Sequence, residues 1–273
     1  MIARTLARRI VLHTSDPAVF EAIRYLECDP EIDETQKEDR AFTINTFRGR
    51  YHIIEEHQAA EEVSDVKSAV NRLHIKLFLH SIKDRPGAGI LHAAALRRGS
   101  KRILLLGSES AGKTSLALRL VQTGFDLEGD EHVFLEEDGV IARPRACRVK
   151  EASLALLPAI AASIAVAPVY VDENGLRTFN VDPRRIGGTW RIGKGAVDAL
   201  IVLQPNHGGY SSLREMTPLA GAQAVMSEFG LRETGHGASI GAVARLVRHT
   251  RLYNLSLGDH GTAVKCIDRV LDA

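Results

Sequence analysis

The sequence predicts an α/β domain preceded by a small α+β domain, on three observations. The apolar run Lys101–Leu106, the glycine-rich segment 107–114 and the helix-forming segment Ser115–Thr123 follow one another in the order strand, loop, helix. Further short apolar runs alternate with helical segments towards the C-terminus. The segment Arg85-Pro-Gly-Ala-Gly89 breaks the pattern before them. We therefore expect a front domain over residues 1–84 and a larger domain over residues 85–273.

The front domain shows start and turn signals of both helices and strands. Asp16-Pro17 predicts a helix start, because aspartate caps a helix and proline suits its first position. The runs Ala41–Phe47 and Tyr51–Glu55 flank a turn with glycine at its centre, which predicts a β-hairpin. Apolar residues then recur at helical spacing up to about Lys83, the pattern of an amphipathic helix.

In the larger domain, the segment Phe125–Leu135 predicts a strand that ends or breaks around Gly129, and Glu137–Gly139 predicts a hairpin turn. Other strands are predicted at Ile90–Leu96, Lys101–Leu106, Pro168–Val171, Arg177–Val181, Ala199–Leu203 and Tyr253–Leu257, with helices at Leu219–Glu228, Ile240–His249 and a terminal one up to Leu271.

The segment Gly107-Ser-Glu-Ser-Ala-Gly-Lys-Thr114 fits the phosphate-binding pattern G-x-x-x-x-G-K-[ST], the Walker A motif or P-loop, at every fixed position. A glycine-rich turn followed by a helix directs several backbone N–H groups at one anion. Lys113 would contact the β- and γ-phosphates of ATP, and the Thr114 hydroxyl would bind Mg²⁺. The other interpretation is a glycine-rich β-to-α turn with a surface lysine. The expected nucleotide-binding residues are Gly107, Ser108, Glu109, Ser110, Ala111, Gly112, Lys113, Thr114 and Ser115.

The acidic pair Asp130-Glu131 follows one helix and one short strand after the loop. If that strand runs parallel to Lys101–Leu106, its carboxyl end lies at the edge of the sheet where ligands of α/β proteins bind. A carboxylate there can bind Mg²⁺ or act as a general base on an acceptor hydroxyl. An acidic turn at a strand end is the alternative.

Composition excludes several classes of partner. Thirty-five Lys and Arg against 34 Asp and Glu give a formal charge of +1, so no overall field attracts nucleic acid or an anionic membrane. The three cysteines lack metal spacing and suit a reducing compartment. No secretory signal or membrane-spanning stretch is visible, so we expect a cytoplasmic protein.

Three segments together resemble the catalytic domain of the HPr serine kinase/phosphorylase family and its HprK-related kinases: Leu91-His-Ala-Ala94, Gly107–Thr114 and Gly124–Glu131. The resemblance covers roughly residues 88–151. It implies a P-loop kinase domain, with the family's mixed sheet and flanking helices, that uses ATP and Mg²⁺ to phosphorylate serine. The family's long glycine-rich signature, which accompanies phosphorylase activity, is not visible in this sequence.

The resemblance also implies roles for individual residues. His92 would interact with Asp130, and Asp130 would be the catalytic base, with Lys113 completing the catalytic set. Glu131 stands where the family usually has a second aspartate, and Glu151 is the nearest match to a further carboxylate of the magnesium site. The implied metal ligands are thus Thr114, Glu131 and Glu151.

Two classes of function follow from these observations. One is an ATP- and Mg²⁺-dependent kinase whose acceptor is serine on a peptide or small protein, or a small-molecule alcohol. The other is a non-catalytic, regulatory nucleotide-binding module whose loop switches an interaction of the front domain. The sequence leaves open the acceptor, any phosphorylase activity, the role of the front domain and whether the chain forms a homo-oligomer.

Overall fold

A computed structural model describes residues 1–33, 39–172, 175–230 and 236–272. The fold is mixed α/β, with parallel and antiparallel strands, which confirms the α/β part of the predicted class. The strands are β1 Ile2–Arg4, β2 Arg9–Thr14, β3 Glu31–Ile32, β4 Arg40–Phe47, β5 Arg50–Glu55, β6 Glu61–Val63, β7 Gly89–Arg98, β8 Lys101–Leu106, β9 Asp126–Glu136, β10 Gly139–Ala142, β11 Cys147–Lys150, β12 Val169–Val171, β13 Arg177–Val181, β14 Arg191–Ile192, β15 Ala199–Pro205, β16 Ser212–Glu215 and β17 Arg251–Leu257. The α-helices are α1 Pro17–Ile23, α2 Val66–Asp84, α3 Lys113–Val121, α4 Ala161–Ala165, α5 Pro218–Ser227, α6 His236–His249 and α7 His260–Asp272, and short 3₁₀ helices cover Arg24–Leu26, Glu151–Leu156 and Pro183–Ile186.

The front part of the chain forms a five-stranded sheet in the order β1-β2-β4-β5-β6, packed against α1 and α2. The Asp16 carboxylate caps α1 by accepting from the N–H of Ala18 at 2.9 Å, as its sequence predicted. The hairpin between β4 and β5 turns at Arg48 and Gly49, both at positive φ, a conformation that suits glycine.

The larger sheet has seven strands in the order β10-β9-β7-β8-β15-β17-β16. β8 is parallel to β15 and antiparallel to β7, and β9 is also antiparallel to β7. Consequently β9 runs in the same direction as β8 but is separated from it by β7. Both faces of β8 are buried, Ile103 and Leu105 under α3 and Leu104 and Leu106 on the opposite side, which explains its unbroken apolar sequence.

The prediction that the strand after α3 ends or breaks around Gly129 was wrong, because β9 continues to Glu136. Its register against β7 shifts there, with Gly129 opposite Ala95 and Leu127 opposite Leu96. Glu128 is the extra residue of this β-bulge, and its buried carboxylate accepts a 2.8 Å hydrogen bond from Nη2 of Arg102. A Cβ at Gly129 would lie 2.6 Å from the Cβ of Ala142, so glycine permits the close approach of β10.

Smaller sheets connect the two parts of the chain. β3 from the front part pairs in parallel with β14, and β11, β13 and β12 form a three-stranded antiparallel sheet in that order. Leu6 and Cys28 belong to the hydrophobic cluster around α3. We retain the domain division after residue 84 as a proposal. Among the described residues, no helix has both the length and the apolar character needed to cross a bilayer.

Candidate functional site

The glycine-rich loop, residues 107–114, joins the end of β8 to the first turn of α3. Gly112 precedes α3 at a φ of 97°, and a Cβ there would lie 2.7 Å from Cδ2 of Leu257. Gly107 has a φ of 149°, and its Cβ would lie 3.0 Å from the Cβ of Ala111 and from the carbonyl oxygen of Leu203. Both fixed glycines of the motif are therefore required by backbone conformation and by space.

Lys113 opens α3, and its side chain folds back over the loop. Its Nζ donates to the carbonyl oxygens of Gly107 at 2.5 Å and of Ser108 at 3.1 Å. The residue is only 6 % exposed, and burial lowers the pKa of its ammonium group, against the opposing charges of Glu228 and Asp130. The loop thus holds one buried cation at the N-terminus of α3.

Asp130 lies in the middle of β9, opposite Ala94 of β7, and Ala94 in turn pairs with Leu105 of β8. This register puts the Asp130 carboxylate level with the end of β8, where Oδ2 accepts a 2.8 Å hydrogen bond from the Thr114 hydroxyl. The residue is buried, and burial raises the pKa of Asp130 despite that hydrogen bond and the nearby Arg145 and Lys113 cations.

Glu131, the second member of the acidic pair, has a φ of 123°, which is unusual for a residue with a side chain. Its carboxylate forms an ion pair with Arg145, a residue that lies on the connection between β10 and β11 and is almost completely buried. Strained backbone of this kind persists only where the surroundings impose it. Here the surroundings direct Asp130 and Glu131 into the same cleft.

The cleft in front of the loop has a volume of about 570 Å³. Cationic side chains of β11 form part of its wall: Nζ of Lys150 lies 2.9 Å from both Oε1 of Glu109 and Oγ of Ser110. Six of the expected nucleotide-binding residues line it, whereas Ala111 is buried in the core and Gly107 and Ser108 contribute their carbonyl groups to Lys113. The lining residues are His92, Glu109, Ser110, Gly112, Lys113, Thr114, Ser115, Asp130, Glu131, Arg148, Val149, Lys150, Ser153, Leu156, Asp172, Leu176 and Thr178.

His92 lines the same cleft, but its ion-pair partner is Glu228 rather than the Asp130 that the resemblance implies. Nδ1 of His92 lies 3.4 Å from Oε2 of Glu228, and its backbone N–H donates to the Glu228 carbonyl at 2.9 Å. Burial and the Lys113 charge lower the pKa of His92, while Glu228 and Asp130 oppose that shift. Burial therefore favours the neutral form of the imidazole.

Glu228 is a site residue that sequence reasoning missed. It caps the C-terminus of α5, far along the chain from the loop, and its carboxylate opposes the lowering of the pKa of both His92 and Lys113. Its sequence carries no motif, so only the three-dimensional packing of α5 beside β7 brings it here. Lys150 and Arg148 were missed for the same reason, since β11 itself was not predicted.

Glu151 lies outside this group. Its carboxylate is 2.9 Å from Nη1 of Arg177 and it does not line the cleft. The structure therefore brings Thr114 and Glu131 to one cleft but does not bring Glu151 with them. Within the described part of the chain, no cluster of three or more His, Cys, Asp or Glu side chains is arranged to hold a metal ion.

Neither a family model nor a curated protein matches this sequence. Among solved structures, the chain is similar to the HPr(Ser) kinase/phosphatase from Coxiella burnetii, at 12 % identity and a TM-score of 0.33. The similarity covers 67 % of this chain and 88 % of that one. A likeness this weak contributes nothing to the functional inference below.

Proposed function

We propose that the protein is an ATP- and Mg²⁺-dependent kinase that transfers the γ-phosphoryl group to a hydroxyl, with serine of a peptide or small protein as the preferred acceptor. One observation carries the proposal: a buried carboxylate, Asp130, lies against Thr114 in the cleft of the glycine-rich loop. A carboxylate against the loop threonine can help to hold Mg²⁺, as in other P-loop NTPases, and in phosphoryl transfer to a hydroxyl a carboxylate also acts as the base.

The cleft suits a nucleotide. Its volume of about 570 Å³ falls within the range typical of small-molecule sites. The start of α3 and the Lys113 ammonium present positive charge to it, and Arg148 and Lys150 add cationic groups on the facing wall. These groups match the charge of a triphosphate.

The oxygen atoms at the cleft also suit magnesium, which prefers hydroxyl, carboxylate and phosphate oxygens. The Thr114 hydroxyl and the Glu131 carboxylate are the protein groups that would hold the ion. Mg²⁺ held there would neutralise the negative charge that develops on the transferred phosphoryl group. Glu151 is left out of this set because it does not line the cleft.

The protein's own residues bind the phosphates and handle the proton of the acceptor. Lys113 binds the β- and γ-phosphate oxygens and orients the γ-phosphoryl group. Asp130 accepts the proton of the acceptor hydroxyl, and burial favours this step because it makes the carboxylate more basic than an exposed aspartate. His92, held by Glu228, is the positioning residue of this proposal, since its imidazole and the Asp130 carboxylate interact electrostatically within the cleft.

The direct test is incubation of the protein with ATP, Mg²⁺ and candidate serine peptides or metabolite alcohols, with mass spectrometry to detect the gain of one phosphate. We expect transfer that disappears in Lys113→Ala and is strongly reduced in Asp130→Asn. Binding of ATP by the parent protein without transfer to any hydroxyl would instead identify a regulatory nucleotide-binding module.

A further inference from the structure

Strand β12 has an open edge. Among the described residues it pairs only with β13, where the N–H of Asn180 donates to the carbonyl of Pro168 at 2.8 Å and the N–H of Asp172 donates to the carbonyl of Leu176 at 3.1 Å. In an antiparallel pair, alternate residues direct their backbone groups to the neighbouring strand. Residues 168, 170 and 172 therefore face β13.

By the same alternation, the N–H and C=O groups of Val169 and Val171 point away from β13. No hydrogen bond to these four groups is found in the part of the chain that the structure describes. Unpaired backbone groups in a row form a template on which another extended segment can pair.

A groove of about 430 Å³ lies beside this edge, and Val169, Tyr170 and Val171 all line it. Successive side chains of a strand point to opposite faces, so a space that contacts three consecutive residues lies beside the strand rather than above it. The opposite wall consists of Ala22 of α1 and the beginning of α2 at residues 65–71. The front part of the chain therefore forms one side of the groove.

The groove ends beside the cleft of the glycine-rich loop: Val171 lines the groove, and the cleft begins at the next residue, although the two spaces share no lining residue. Asp172, the next residue after β12, and Leu176 line that cleft together with Lys113 and Asp130. Apolar side chains that line the groove and the cleft are exposed: Val171 at 49 %, Leu176 at 41 % and Leu156 at 58 %. An exposed apolar border beside an open strand edge is typical of a surface that binds a partner.

We propose that the acceptor is an extended peptide segment that adds to β12 as an extra strand, paired with Val169 and Val171, and so delivers its serine hydroxyl to Asp130. This inference rests on the proposed kinase activity and specifies its substrate. The position of the open edge beside the cleft, one residue away along the chain, favours a peptide, because a small alcohol would have no use for a strand edge about 10 Å long. Backbone pairing supplies the affinity, and the side chains of β12 and α2 select the sequence.

The first test compares two substitutions of Val171. Val171→Pro removes an outward-facing N–H while leaving the β12–β13 hydrogen bonds intact, since proline is tolerated on an edge strand. Val171→Ala retains the N–H and shortens only the side chain. The probe is a synthetic pool of short peptides with one fixed serine and random flanking positions, supplied with ATP and Mg²⁺, from which one phosphorylated peptide is taken for kinetics.

We expect Val171→Pro to raise the KM for that peptide about tenfold, more than Val171→Ala does, with kcat and the KM for ATP unchanged. An unchanged peptide KM in a folded Val171→Pro protein overturns the docking mode while leaving the kinase activity established. Phosphorylation of small alcohols but of no peptide in the pool would likewise overturn it and spare the kinase proposal.

A second test does not depend on the folding of a variant. Single N-methyl groups are placed at successive positions of the phosphorylated peptide, and each peptide is assayed with the parent protein. Strand pairing predicts that KM rises at alternate positions only, because every second N–H faces β12. A KM that is insensitive to methylation, or that rises without alternation, contradicts pairing on this edge.

Discussion

The Thr114 hydroxyl donates a 2.8 Å hydrogen bond to Oδ2 of Asp130, which links the first turn of α3 to the middle of β9. Both residues sit on regular elements rather than on mobile loops, since Asp130 pairs with Ala94 in the sheet and Thr114 follows Lys113 in the helix. The base and the phosphate-binding loop of the proposed kinase are therefore held in a fixed relation, which is the condition for efficient transfer.

Replacement of Asp130 by asparagine separates chemistry from binding. Asparagine keeps the shape and an acceptor oxygen for Thr114 but cannot take up a proton at neutral pH. We expect phosphoryl transfer to fall about 10²- to 10⁴-fold, the usual contribution of general base catalysis, with little change in ATP affinity. Single-turnover phosphorylation and calorimetric ATP titration measure the two effects separately.

Asp126→Asn is the matched control, because Asp126 is the first residue of the same strand and does not line the cleft. It should transfer phosphate at the parental rate. Parental transfer by Asp130→Asn as well would remove the base from the mechanism and favour a regulatory module.

The same substitution should stabilise the protein at neutral pH. Burial raises the pKa of Asp130 above its ordinary 3.8, so the folded state binds this proton more tightly than the unfolded chain. The parent therefore loses stability as the pH rises from about 3.8 through the raised folded-state pKa, whereas asparagine has no charge to bury.

Thermal unfolding followed by circular dichroism across this pH range tests that expectation. The Tm of Asp130→Asn should exceed the parental Tm at pH 7, and the difference should vanish as the pH is lowered towards 3.8. A parent that is more stable at pH 7 would mean that pairing with Arg145 and Lys113 outweighs the cost of burial.

The parts of the fold that sequence could predict are those set by local signals. The loop between β8 and α3 follows from two glycines at positive φ and an apolar strand buried on both faces. The course of β9 beyond Gly129 could not be predicted, because the small size of that residue serves the approach of Ala142 and the bulge rather than a turn. A glycine in a strand sequence can mark either a turn or the close approach of another strand, and only the position of the neighbouring strand distinguishes the two.

The sequence predicted that Lys113, Thr114 and Asp130 lie close together, since a motif and one short connection fix their spacing, and the structure brings them to one cleft. Their roles stay predictions. The sequence did not locate Glu228, which reaches His92 only because α5 ends beside β7. Contacts between segments this distant in sequence depend on the assembled sheet, and no local pattern encodes them.

Lys113→Ala should abolish nucleotide turnover and weaken ATP binding, because the substitution removes the loop lysine that would bind the phosphates in the proposed kinase. Lys101→Ala is the control: Lys101 begins β8, at the other end of that strand, and its Nζ lies 3.3 Å from Oδ1 of Asp198. Turnover is measured by ADP release. Equal turnover in Lys113→Ala and the parent would contradict the assignment of the loop.

In the proposed mechanism, His92 positions the base and does not take the proton, so substitution of His92 should have a smaller effect than substitution of Asp130. We expect His92→Ala to lower kcat by less than Asp130→Asn does. Glu228→Gln removes a charge and hydrogen bond that raise the pKa of His92, so that pKa should fall further. NMR titration of the His92 imidazole measures it, and an unchanged value would mean that the two side chains do not interact in solution.

Gly112→Ala tests whether the loop requires glycine for space as well as for conformation. Gly99→Ala is the matched control, because Gly99 also has a positive φ, of 60°, but an added Cβ would meet no atom within 4 Å. The control should cost about 1 kcal/mol in unfolding free energy, from backbone strain alone. Gly112→Ala places a Cβ 2.7 Å from Cδ2 of Leu257, so it should cost about 1–3 kcal/mol more and also displace the N–H groups that bind phosphate. Urea unfolding and ATP titration measure both effects. The double variant Gly112→Ala/Leu257→Ala lacks the obstructing side chain and should therefore recover part of the ATP affinity. If it binds ATP no better than Gly112→Ala does, the loss of affinity comes from backbone strain alone.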